Sequence, residues 1–242
     1  MKKIVLLLVL VLLLLAGCPQ GTNGTAGNGN GGTNNPNNGG NGNGGEVEVA
    51  ETTISNPYHF VTGIGYYHIT GIVENTGNVA LKHVRAKITF YTSEGEEKIY
   101  DDVIVHPSRL APGEKGGFDT SIGASTKFKV GEFKAEAGSF SVDDYLPYTE
   151  FSIKNIENQD LGGYYKLNAW VENTGQEQAP GYWVNALFYD AAGHVLTTGT
   201  DVVLKDGDGL KPGDEKFISF VVAQPNAVDR ITDYEILIDF SK

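Results

Sequence analysis

Between residues 84 and 91 the chain alternates strictly. Val84, Ala86, Ile88 and Phe90 are apolar, and Arg85, Lys87, Thr89 and Tyr91 fall between them. Successive side chains point to opposite faces of a strand, so this is the period of a half-buried β-strand. Tyr67, Ile69, Gly71 and Val73 follow the same rule one strand earlier. Asn75-Thr76-Gly77 closes that strand with turn-forming residues, and Ser93-Glu94-Gly95 breaks the next. Pro112-Gly113 suits the centre of a type II turn, Pro setting the first φ and Gly accepting a positive second one. No segment has a convincing helical period.

These elements occur twice. Tyr66-Tyr67 through Val73-Glu74-Asn75-Thr76-Gly77 returns as Tyr164-Tyr165 through Val171-Glu172-Asn173-Thr174-Gly175. Phe90-Tyr91 and Gly95 return as Phe188-Tyr189 and Gly193, and Leu110-Ala111-Pro112-Gly113-Glu114 as Leu210-Lys211-Pro212-Gly213-Asp214. Three blocks in one order mark a duplication, with units at 46–145 and 146–242. About seven short strands in roughly 100 residues predict an all-β fold of two tandem immunoglobulin-like β-sandwich domains. The junction from Ser141 to Glu150, which contains Pro147, is short enough to hold the units at limited distance.

The order strand, Val-Glu-Asn-Thr-Gly, strand ending in Phe-Tyr, then Leu-x-Pro-Gly-Glu/Asp resembles the FxLYD-type domain. It is also similar to the CARDB-type adhesion modules of bacterial and archaeal surface proteins. The second unit keeps Phe188-Tyr189-Asp190, whereas the first has Thr92 in place of the Asp, and neither has a Leu between Phe and Tyr. The resemblance implies an immunoglobulin-like fold and an envelope location. These families share no active site, so it transfers no functional residues, and fold alone does not license function.

The N-terminus predicts an address. Lys2 and Lys3 precede an unbroken apolar run from Ile4 to Leu15. As a helix that run covers roughly 18 Å against a bilayer core of about 30 Å, so it reads as an export signal, residues 1–17, rather than a membrane span. Leu15-Ala16-Gly17-Cys18 looks like a lipobox. Small residues fit a peptidase cleft, and the Cys18 thiol accepts a two-chain lipid, which anchors stably where one chain would not. Cys18 is the sole cysteine, so a disulfide framework and a cysteine-rich metal site are excluded. Residues 18–45 are the lipidated Cys and a Gly/Asn/Thr linker with no large apolar side chain. Such a segment is expected to be disordered and to span roughly 30 Å as a coil. Together these place the protein outside the cytoplasm, lipid-anchored at the cell membrane.

Charge narrows the partners. The net charge of −12, with basic residues scattered singly, leaves no basic face for nucleic acid. The histidines 59, 68, 83, 106 and 194 have no metal-ligand spacing and read as surface residues. Lys205-Asp206-Gly207-Asp208-Gly209 has the carboxylates of a calcium loop but not its spacing or distal Glu, and reads as an acidic turn. No nucleophile elbow or phosphate loop is present. The expectation is no enzyme, no metal and no cofactor.

One face stands out. If Ile88 and Phe90 point inward, their neighbours point outward, and in the second unit this puts Trp183, Asn185, Leu187 and Tyr189 outside. Trp170 replaces Ile72 on the outward side of the preceding strand. Exposed apolar side chains mark contact surfaces, so Trp170, Trp183, Leu187 and Tyr189 are candidate binding residues. They would serve for a surface protein, a glycan or the first unit. The two tryptophans form one patch only if their strands share a sheet. The role that follows is a tethered adhesion or interaction module. The alternatives are a structural spacer of the envelope and an accessory ligand-binding component.

Overall fold

The computed structural model describes residues 48–63, 65–92, 95, 97–123, 128–143, 150–179, 181–203 and 209–240. The signal segment, Cys18, the linker to residue 45, Pro147 and Lys205 to Asp208 lie outside the described residues.

The chain is all-β. The first repeat contributes β1 (Thr52–Val61), β2 (Tyr66–Asn75), β3 (Leu81–Lys82), β4 (Arg85–Thr92), β5 (Glu97–Ile104), β6 (Lys115–Gly123), β7 (Phe128–Ala137) and β8 (Ser141–Val142). The second contributes β9 (Phe151–Asp160), β10 (Tyr165–Asn173), β11 (Tyr182–Tyr189), β12 (Val195–Val203), β13 (Glu215–Val222), the single helical turn α1 (Pro225–Val228) and β14 (Asp233–Phe240).

Pairing is antiparallel throughout, and both repeats use one topology. Sheets β1-β2-β6 and β5-β4-β7 of the first correspond to β9-β10-β13 and β12-β11-β14 of the second. Among the described residues each repeat therefore shows six long strands in two three-stranded sheets, and β3 pairs with β8 beside them. The expected type II turn is present: Glu114 N–H donates to Ala111 O at 2.9 Å and Gly113 has φ 78°, with Asp214, Lys211 and Gly213 (φ 79°) repeating it.

The sheets of each repeat close over an apolar cluster. Tyr67, Ile69, Val73 and Phe118 meet Ala86, Ile88 and Phe90 in the first repeat. Leu167, Ala169, Val171 and Ile218 meet Val184, Ala186 and Phe188 in the second. The same aromatic contact crosses both clusters: Tyr67 on Phe90 and Tyr165 on Phe188, edge to face, each with centroids 5.7 Å apart. The strand alternation thus identified the inward residues correctly. A β-bulge in the first strand of each repeat carries an Asn with positive φ, Asn56 (48°) and Asn155 (49°), a conformation Asn tolerates better than most side chains.

The repeated Val-Glu-Asn-Thr-Gly motif has a packing cause. Asn75 is fully buried; its Nδ2 donates to Val79 O (2.8 Å) and Leu110 O (2.9 Å), and its Oδ1 accepts from Gly77 N–H (3.0 Å). Asn173 repeats this with Glu177 O (2.8 Å), Leu210 O (2.7 Å) and Gly175 N–H (2.9 Å). One amide therefore joins the end of a strand to the Leu-x-Pro-Gly loop, which explains why the two motifs recur together.

Candidate interaction surface

In a sheet with one covered face, the other face should be solvated. The outward residues of β2 depart from this, since His68, Thr70 and Ile72 are all buried. They are covered by the second repeat. Thr70 Oγ1 donates to Val195 O, and Thr197 Oγ1 donates to Asp119 Oδ2 at 2.8 Å. The Leu187 side chain lies against the Cα of Gly117, so close that a Cβ there would stand 2.5 Å from Leu187 Cδ2. Two sheets, β1-β2-β6 and β12-β11-β14, thus pack by their outer faces in a seam between the repeats.

Polar groups frame the seam. Lys115 Nζ lies 3.0 Å from Glu235 Oε2, and Ser108 N–H donates to Asp239 Oδ2 at 3.2 Å. Thr200 Oγ1 donates to Asn185 Oδ1 (3.0 Å) and lies 3.3 Å from His106 Nδ1. Burial lowers the His106 pKa. At one end, the Tyr58 ring stacks on His194 with centroids 4.2 Å apart. Arg230 Nη2 donates there to both Tyr58 Oη (2.7 Å) and Asp190 Oδ2 (2.8 Å). A small apolar cluster of Phe60, Leu196 and Ala227 adjoins it.

The candidate residues therefore separate. Leu187, expected outside, is fully buried in the seam. The period placed it on the correct face, and the first repeat removes that face from water. Tyr189 is half-buried, with its hydroxyl donating to Glu235 Oε2 at 2.9 Å, and burial pushes its pKa up. Trp183, on the same face of β11, remains 49% exposed. Trp170 belongs to the other sheet, on β10, so the tryptophans form no single patch. Among the histidines read as surface residues, His68 is buried against Asp119 (Nδ1 to Oδ1 2.9 Å) and stacked on Phe60. In the grouping of Thr197, Asp119 and His68 the carboxylate stands between hydroxyl and imidazole, so the ring is not placed to take the hydroxyl proton. This grouping fastens the seam.

A second surface emerges on the outer face of β9-β10-β13. Trp170, 38% exposed, meets Phe217, 43% exposed, edge to face at 5.4 Å. Val221 continues the apolar stripe along β13, while Ser219 Oγ donates to Asn168 Oδ1 at 2.8 Å beside it. Lys154, cross-strand from Trp170, pairs with Glu172 and lies 3.5 Å from Glu215. The sequence reading passed over Phe217, although extending the Leu-x-Pro-Gly match sets it opposite Gly117. A separate open cleft of about 240 Å³ lies between the edges of β12 and β13, lined by Thr197, Thr200 and Ser219 among others. Among the described residues no cluster of His, Cys, Asp or Glu is placed to hold a metal ion.

No family model matches the chain, and no curated protein matches it. The surface must be read from its own geometry.

Asp190 gives the seam an acid dependence. Burial acts to raise its pKa, but hydrogen bonds from His194 N–H and ring, Ala192 N–H and Arg230 outweigh this and hold it below its ordinary value. Its contribution to stability is thus present above the unfolded carboxylate value of ~3.9 and is lost as pH falls through the lower folded value. Urea unfolding at stepped acidic pH should give a shallower acid loss for Asp190→Asn than for the wild type. Identical slopes would contradict the assignment.

Proposed function

We propose that the protein is an exported, lipid-anchored interaction module without catalytic activity. Residues 1–17 direct export, Cys18 carries the lipid and residues 18–45 form the tether. The outer face of β9-β10-β13 meets a protein or polymer of the cell envelope. One observation carries this reading: in the first repeat the equivalent face is an interface, and in the second it carries an exposed Trp170–Phe217 pair. Aromatic side chains on a flat, polar-rimmed face are the usual anchors of an interface. The likeness to FxLYD-type and CARDB-type modules points the same way.

A structural spacer is the second reading, favoured by the seam that fixes one repeat against the other. The two are separated by cross-linking the full-length protein in its native envelope, with Trp170→Ala, Trp183→Ala and Cys18→Ser alongside. Loss of a hot-spot aromatic should lower capture about thirtyfold in Trp170→Ala and little in Trp183→Ala. Cys18→Ser should release the protein from the membrane fraction. Equal adducts from wild type and Trp170→Ala would favour the spacer.

A further inference from the structure

The seam uses one face of each repeat: the outer face of β1-β2-β6 from the first and of β12-β11-β14 from the second. The opposite choice is left over, namely β9-β10-β13 of the second repeat and β5-β4-β7 of the first. Because the repeats share one topology, each seam position has a defined counterpart on these remaining faces.

The counterparts are complementary to each other. In the seam, Lys115 pairs with Glu235. Lys115 sits cross-strand from Glu74, and its counterpart Glu215 sits cross-strand from Glu172. Glu235 sits cross-strand from Leu187, and its counterpart Lys134 sits cross-strand from Thr89. The counterparts of the Lys–Glu pair are therefore Glu215, which lies 3.5 Å from Lys154, and Lys134, which lies 2.7 Å from Glu136, with both signs exchanged. Size is exchanged in the same way. The seam fits large Leu187 against Gly117, and the counterparts are small Thr89, itself buried, and large, exposed Phe217.

We propose that the outer face of β9-β10-β13 docks onto the outer face of β5-β4-β7 of a second copy of this chain, repeating the seam between molecules. This rests on the reading above that the Trp170–Phe217 face is a contact surface, and it names the partner. The contact is heterologous: each copy offers a different face at either side, so docking continues as an open stack rather than closing as a dimer. The apolar pair supplies the core of the contact, and the exchanged charges set its register, since exposed ion pairs contribute little affinity but select orientation.

The test is disulfide capture in the full-length protein displayed on its membrane. The chain carrying both Glu215→Cys and Lys134→Cys should yield a ladder of dimers and higher multimers on non-reducing gels. Chains with either substitution alone should not, which also controls for Cys18. In a mixture of the two single-substituted chains, one dimer band should form. Cross-linking without cysteines should fall about tenfold in Lys134→Glu and recover in Lys134→Glu/Glu215→Lys, because like charges are set opposite each other in the first and removed in the second. A double-cysteine chain that stays monomeric would overturn the second-copy assignment. If Trp170-dependent envelope capture persists there, the contact-face reading survives with an envelope protein or polymer as partner; if capture is absent too, both fall.

Discussion

Leu187→Asp should destabilise the folded repeats by about 4 kcal/mol, the scale for a buried charge left without a partner. Leu187 projects from β11 away from its own sandwich, so the loss does not come from that core. It comes from the seam, where the side chain rests on Gly117 and adjoins Thr198. The new carboxylate would also stand cross-strand from Glu235, and like charges directly opposite repel. For a chain of this size the thermal midpoint should fall by roughly 12 °C. Unfolding should also lose cooperativity, the two repeats melting separately. Trp183→Thr is the comparison: it lies on the same strand and face but is 49% exposed and brings no charge opposite Asp239, and should cost about 1 kcal/mol. Differential scanning calorimetry of both variants decides the matter. Equal, small effects would mean that the sheets do not pack this way in solution.

That contrast shows where sequence reading reached its limit. Alternation within one strand separates two faces and labels the second one solvent. For β4 and β11 it placed Ile88, Phe90, Ala186 and Phe188 inside, where they are. For the Leu187 face it offered the first unit as one of three partners without being able to choose, and it did not anticipate that His68, Thr70 and Ile72 would be covered, because the covering residues lie in the other repeat. Turns were legible for the opposite reason: Pro112-Gly113 carries its geometry locally, in a fixed φ followed by a positive one. The two tryptophans illustrate a middle case. Each was placed on an outward face, and each is exposed, but only strand order tells that β10 and β11 belong to different sheets. The exchange of Gly117 for Phe217 was visible in the repeat alignment, yet it acquired meaning only once Gly117 was found under Leu187.

Asn173→Ala should cost about 3 kcal/mol, the second large effect. The side chain is fully buried and makes three hydrogen bonds to backbone groups of the loop after β10 and of the loop around Leu210. Truncation leaves the Glu177 and Leu210 carbonyls and the Gly175 N–H without that partner, and a buried group stripped of its partner costs about 1 kcal/mol or more. The backbone of Asn173 adds two further ties to the same loop, with Asp214 O and Gly213 N–H, which the substitution leaves intact. The repeat should therefore stay folded but weakened. Asn173→Asp separates hydrogen bonding from shape. It preserves the outline and the acceptor for Gly175, but replaces the donor by a carboxylate facing two carbonyl oxygens. It should cost at least as much as Asn173→Ala, whereas loss of packing alone would leave it close to wild type. Asn75→Ala and Asn75→Asp should behave alike in the first repeat, where the same three contacts are made. Urea denaturation of the four variants provides the measurement. A near-neutral Asn→Asp substitution at both sites would show that the repeated motif is kept for its turn and not for the amide that joins two loops.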